Sequence, residues 1–283
     1  MSNTVDTTAR PARSGEPFRP RPRPLLGIRT DVPKNAYLLA MTLSIAVPLA
    51  GWVLLSVGGR VDPLFVPTPL AVWQAAVRLA QSGDLLNDSL ASLSRVGLGF
   101  LLSALVAIPL GLLIGTFKLV EGLFEPVLGL FRYMPAAAFI PLIILWVGLD
   151  EPAKVAIIFI GSFFYNTLMV ADAVKFVPAD WLKVSYTLGA GRRDAFFRVI
   201  LPATLPSVID TLRINIATAW NFVVVAELVA ANSGLGYRIL VSQRFLKTDE
   251  IFVGILVIGL IGLAIDALFK WLFRLAVPWA VDA

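Results

Sequence analysis

Apolar residues gather into runs of about twenty to thirty positions separated by short polar stretches, and a helix crossing a bilayer needs about 20 mostly apolar residues. Six segments meet that length: 36–57, 85–116, 122–147, 153–174, 205–231 and 251–277. The second and fifth are long enough to tilt or to project beyond the bilayer. Between the first two lies PLFVPTPLAVWQAAVRLAQSGD, residues 63–84. There Pro67 and Pro69 start a short helix whose apolar positions, Val72, Ala75, Ala76 and Leu79, are expected to lie flat along the membrane surface. The pattern predicts an all-α polytopic membrane protein of about six spans, with a transmembrane domain over 36–283.

One polar stretch breaks this rhythm. WLKVSYTLGAGRRDAFFRVILPATLPSV, residues 181–208, begins too polar to span. Pro178 and Asp180 suit a helix start, and Trp181, Leu182, Ser185, Leu188 and Gly189 fall near one face of that helix. Gly189 and Gly191 bracket Ala190 and permit a sharp turn. A second short helix follows, with Phe196, Phe197, Val199, Ile200 and Leu201 apolar and Arg192, Arg193, Asp194 and Arg198 polar, and Pro202 is expected to end it. The pair reads either as a solvated cover for helix ends or as a docking surface whose small residues admit a partner.

Composition narrows the chemistry. The 283 residues are 58% hydrophobic and only 15% charged, with mean hydropathy +0.81; a soluble domain carries about a quarter charged residues. There is no cysteine and no histidine, which removes disulfides, thiol nucleophiles, Ser-His-Asp chemistry and almost every zinc or haem site; no metal site is expected. GLLIGTFK, residues 111–118, lacks the spacing of a phosphate loop, and its glycines fit helix packing instead. The chain is therefore expected to be no enzyme and to hold no cofactor. Residues 1–35, with Arg and Pro alternating from Arg19 to Pro24, read as a disordered basic tail near anionic lipid headgroups. The tail lacks the interleaved aromatic residues of a nucleic-acid platform, and it is not a cleaved signal peptide.

The basic residues also set an orientation. With the N-terminus inside, sixteen Lys and Arg fall on inner segments and six on outer ones, with Arg95 and Arg132 inside spans. Both termini and the 178–201 segment are then expected to face the cytoplasm.

Polar residues within spans mark either conduits or interhelical bonds. Pro135 and Pro141 in the third span free backbone carbonyls mid-membrane, the mark of a broken helix lining a path. Arg132 beside them reads as a snorkelling side chain. Tyr165 and Asn166 in the fourth span, and Asn215, Thr218, Trp220, Asn221 and Glu227 in the fifth, form a second candidate set for a solute path. Asn215, Thr218 and Asn221, three apart, trace a loose polar stripe that reads equally as conduit or as glue between helices. Glu227, followed by ANSGLGY, reads either as a cap for the outer loop or as a solute contact. Asp266 is expected to pair with Lys270, one turn on.

LGAGRRDAFFRVILP resembles the cytoplasmic signature of importer permeases of the ATP-binding-cassette class. Gly189 and Ile200-Leu201-Pro202 match that signature, while its Glu-Ala-Ala falls on Lys183-Val184-Ser185, a departure at the acidic position. FVPTPLAVW, RYMPAAAFIPLIILWVGLDEPAK and LRINIATAWNFVVVAELVAANSGLGY are similar to the nitrate, sulfonate, taurine and bicarbonate branch, and the likeness runs from about 63 to 276. The resemblance implies a type I importer-like fold whose 178–201 segment seats in an ATPase groove. Trp181, Lys183, Ser185, Leu188, Gly189, Ala190, Gly191, Arg192 and Pro202 would make that joint. It further implies a second permease copy, two cytosolic ATPases carrying ATP and magnesium, a periplasmic or lipid-anchored binding protein, a bacterial inner membrane and a small anionic cargo moved by alternating access. The competing reading is a channel or secondary transporter that needs no ATP.

Overall fold

The computed structural model describes residues 32–58 and 61–280. Most of the expected tail, residues 1–31, lies outside them, whereas Lys34 and Asn35 already belong to the first helix. The chain divides into two units, one ending at Leu54 and one starting at Leu55. The first holds most of α1 (Lys34–Val57), a 24-residue helix with Pro48 in its interior; at 1.5 Å per residue it is about 36 Å long, enough to cross a bilayer.

The second unit carries α2 (Pro69–Gln81), α3 (Asp84–Thr116), α4 (Lys118–Tyr133), a 3-10 turn (Ala136–Phe139), α5 (Ile140–Val147) and α6 (Glu151–Lys175). Then come α7 (Ala179–Thr187), α8 (Arg192–Asp194) with a π-helical continuation (Ala195–Ile200), α9 (Leu201–Ala230), α10 (Leu235–Arg244), α11 (Thr248–Ala276) and a last 3-10 turn (Pro278–Ala280). No strand occurs among the described residues. Helices α1, α3, α6, the continuous α8–α9 helix and α11 are each long and apolar enough to span a membrane. The pair α4 and α5 is apolar enough for a sixth span only when taken together, and it is bent by 90° at its break.

Helices α3, α6 and α9 form the centre. Small residues recur every fourth position along α3: Gly99, Ser103, Ala107, Gly111 and Gly115. Without water to expel from between them, helices in a bilayer associate by close backbone approach, and such a ridge permits it. A Cβ added at Gly111 would stand 2.6 Å from the Thr167 carbonyl oxygen, and one at Gly99 2.7 Å from Ile158 Cβ. Val96, Phe100, Ile158, Trp220 and Val223 fill the core toward α10, and Leu112, Val170, Val174 and Val208 fill it toward α7. Leu98, Leu101 and Leu105 on α3 and Ile255, Leu260 and Leu263 on α11 point outward, an apolar exterior that suits lipid. Gly111→Ala is expected to lower stability by about 1–3 kcal/mol through overpacking in a fluorescence melt of the purified protein. Gly97→Ala, whose added Cβ meets nothing within 4 Å, should lower it not at all.

Two expectations need correction. Thr68 caps α2 and accepts a hydrogen bond from Ala71 N–H, with Pro69 in the first turn, but the apolar face does not lie on a membrane surface. Val72, Ala75 and Leu79 are buried against α3 and α11, and Arg78 closes the contact on Asp249 at 2.8 Å. The packed protein competes better than headgroups for that face because it is drier. Nor does Pro202 end a helix. The chain runs on from α8 into α9, and the π turn, with Leu201 N–H donating to Phe196 O five residues back, shifts the ladder where the proline N–H is missing.

Candidate functional site

Three polar or exposed assemblies stand out, the first at the end of the bundle where α6 gives way to α7. Pro178 lies at the N-cap of α7, and Asp180 in its first turn binds Lys183 at 2.8 Å. The basic residue at the departure from the signature is thus neutralised locally and stays exposed. Helix α7 closes with both hydrogen bonds of a Schellman motif, Ala190 N–H to Ser185 O at 3.0 Å and Gly189 N–H to Tyr186 O at 3.0 Å. Gly189 sits at φ +85°, which L side chains disfavour. Gly191, at φ −77°, needs no glycine, so the bend rests on one glycine rather than the pair.

The expected single face of α7 is split. Leu182 and Ser185 turn toward the bundle, Leu182 packing on the Val170–Val208 core. Trp181, Val184 and Leu188, at i, i+3 and i+7, are 55%, 57% and 83% exposed. Ala190 is half-buried beside them, and Arg192 and Arg193 are exposed with no carboxylate partner among the described residues. Pro202 lies within the continuous helix, lining a cleft with Trp181, Arg198, Val199, Pro206 and Trp279.

The second assembly is the break between α4 and α5. The chain leaves helix at Met134 and Pro135, whereas Pro141 occupies the first turn of α5, where no intrahelical N–H is lost; one proline, not two, opens the backbone. Pro135 and Tyr165 meet on a cavity of about 240 Å³ shared with Phe131, Arg132, Tyr133, Phe139, Phe164 and Phe222. The Tyr165 hydroxyl donates to Arg132 O at 3.4 Å. Arg132, expected to snorkel, lines this cavity, and its guanidinium lies 5.2 Å from the Tyr133 ring centre.

The remaining candidates of the path separate. Asn166 donates to Ser103 Oγ at 3.0 Å and accepts from Asn215 Nδ2 at 2.9 Å, all buried; these amides tie α3, α6 and α9 together. Thr218 is half-buried and Asn221 exposed. Three residues advance 300° around a helix, so each step turns the supposed stripe back by about 60°, from the core at Asn215 to the surface at Asn221. Trp220 is buried with its indole N–H unbonded.

The third assembly, at the α10 end, was largely missed by sequence reasoning. Arg95 is 3% exposed and donates to Glu151 through Nε (2.6 Å) and Nη2 (2.7 Å), and to Glu227 through Nη1 (2.7 Å). It also donates to Ser233 O (2.7 Å) and Ser233 Oγ (3.1 Å). Lys154 joins Glu151 at 2.8 Å. Three side chains accept from the free N–H groups that open α10: Asp88 from Gly234, Ser92 from Leu235 and Glu227 from Gly236. Gly234, at φ +117°, leaves the room that a Cβ would take from the Glu227 carboxylate. Arg238 binds Asp88 at 2.7 Å and Asp84 at 3.2 Å; burial opposes its charge, but the hydrogen bond it donates to Asp88 and the two carboxylates outweigh it and raise the guanidinium pKa above its ordinary value. The only advance signals were two ionisable groups in apolar runs and a glycine after Glu227. Glu227 therefore has the capping geometry, and Arg95 is fully engaged with the protein. At the opposite end Asp266 pairs with Lys270 at 2.7 Å as expected, and also with Arg213 at 3.2 Å.

The family model for "Binding-protein-dependent transport system inner membrane component" matches residues 107–281. A probable ABC transporter permease of Brucella melitensis is 39% identical over 237 residues, covering 84% of this chain and 95% of its own length. The taurine transport system permease protein of Escherichia coli is 32% identical over 247 residues, covering 84% and 90%. Among solved structures, the inward-facing MetNI methionine ABC transporter shares the fold at TM-score 0.60 and 18% identity, over 70% of this chain and 98% of that one.

Proposed function

The chain belongs to the binding-protein-dependent inner membrane component family, the permease subunits of ABC importers, and from that premise we propose that residues 178–202 couple separate cytosolic ATPases to a solute path. Two copies of the chain enclose that path about a two-fold axis. A binding protein outside the membrane delivers a small anion of the nitrate, sulfonate, taurine or bicarbonate class. The excess of Lys and Arg supports both termini and α7 in the cytoplasm, and α2 and α10 outside.

The observation that carries this reading is the exposed stripe Trp181–Val184–Leu188 beside the Gly189 bend. Apolar side chains that face neither core nor lipid mark an interaction surface. Leu182, on the other face of the same helix, touches the α6 and α9 core. A push on the stripe therefore reaches the spans through one short rigid helix. ATP closes the ATPase pair, the elbow moves, and the spans open outward; hydrolysis restores the inward form. The residues of this chain supply the joint and the path, and nucleotide chemistry resides in the partners.

Substitution at Gly189 tests the joint. A Cβ there meets nothing within 4 Å, so side-chain clash plays no part and only backbone strain of about 1–2 kcal/mol is added. Gly189→Asn, which tolerates the left-handed region, is expected to keep the ratio of solute moved to ATP hydrolysed in proteoliposomes. Gly189→Val should lower it several-fold with the assembly intact. Equal ratios in both variants, or uptake that proceeds without nucleotide, would contradict the coupling role.

A further inference from the structure

Among the described residues, most cations along the second unit's helices have a carboxylate. Arg95 has Glu151 and Glu227, Lys154 has Glu151, Lys175 has Glu121 and Glu125, Arg213 has Asp210 and Asp266, and Lys270 has Asp266. Arg132 has none among the described residues: its polar side-chain contact there is the Tyr133 hydroxyl at 3.4 Å. It stands in the last turn of α4, beside the break where the chain turns by 90°. An arginine within a membrane segment faces a bundle interior or a wet cavity and calls for an anion. The cavity beside it is walled by Phe131, Phe164 and Phe222, and no carboxylate lines it. Phe131 and Phe164 stack at 5.2 Å. Gly161 makes room for the Phe222 ring, on which a Cβ would collide.

We infer that this cavity is a cargo-reading site in which Arg132 holds the head of an organic monoanion while the aromatic walls take a short apolar tail. The inference rests on the permease reading and sharpens it to alkane- or arenesulfonate-like cargo over bare oxyanions. A guanidinium fork matches two oxygens of an oxyacid head. A bare nitrate or bicarbonate would exchange its water shell for one cation and a ring of phenyl faces, and polar groups buried without partners are disfavoured. An organosulfonate leaves only its head to be satisfied and gains from burying its tail. Tyr165, bonded to the Arg132 carbonyl, fixes the backbone that carries the guanidinium.

The test uses the permease–ATPase complex in lipid nanodiscs without binding protein, with 1-butanesulfonate as probe. Saturation-transfer NMR should label the butyl protons in the native complex and lose at least about fivefold of that signal in Arg132→Gln, with Arg132→Lys retaining most of it. Equimolar nitrate should not displace the probe. Equal signals in native and Arg132→Gln complexes, or displacement by nitrate, would overturn the site. So would loss of the second permease copy from the Arg132→Gln complex, because Arg132 would then belong to an interface. ATP-driven uptake by the native assembly, measured in parallel, separates the two failures: no uptake refutes the permease reading, whereas uptake with no probe binding refutes only the cavity.

Discussion

Arg95→Ala is expected to destabilise the folded protein by about 3–5 kcal/mol, the cost of stripping one partner from a buried ion pair. The guanidinium spends all five N–H donors: two on Glu151, one on Glu227 and two on Ser233. Removing it leaves Glu227, 1% exposed, with only the Ser92 hydroxyl and the Gly236 N–H to balance its charge. Arg95→Lys should be nearly as damaging, because three donors on a point charge cannot hold two carboxylates and a serine at once. Glu151→Gln should cost less, since that side chain is itself 59% exposed, but it still takes a carboxylate from buried Lys154 and Arg95. Thermal melts and monodisperse yield after extraction check the order: Arg95→Ala and Arg95→Lys lowest, Glu151→Gln between them and the native protein.

How much of this was legible in the sequence depends on range. Bilayer thickness fixes helix length, so the apolar runs announce themselves; the helices at Asp84–Thr116, Glu151–Lys175 and Thr248–Ala276 lie where hydropathy puts them. The Schellman bend was also local, requiring only Gly189 after an amphipathic turn. What escaped was long-range or off-period. Arg95 and Glu227 are 132 residues apart, and nothing in either neighbourhood names the other; read alone, Arg95 was simply a cation inside a span. The π turn at Ala195–Ile200 breaks the 3.6-residue period that pattern reading assumes. Asn166 and Asn215 appeared as lining because a bonded amide and a free amide are the same letter.

Leu188→Asp is expected to leave the melt unchanged within about 0.5 kcal/mol and to weaken retention of the ATPase subunits by about thirtyfold. The side chain is 83% exposed in this chain, so folding gains nothing from it. Buried in a partner groove, it would contribute as an interface anchor worth about 2 kcal/mol, which converts to that factor. Trp181→Asp should act in the same direction, whereas Lys183→Ala, which removes only an exposed pair with Asp180, should change retention little. Co-purification of the ATPase with each variant reads the difference directly.

The central claim is that the α7 elbow seats in the ATPase and moves with it. The chain has no cysteine, so Leu188→Cys supplies a single thiol without further engineering. Crosslinking from that thiol in reconstituted complexes, with and without ATP turnover, is predicted to capture the ATPase subunit in high yield and at residues that shift between the two states. A thiol that reacts only with water-soluble reagents and joins no neighbouring chain in either state would contradict the account.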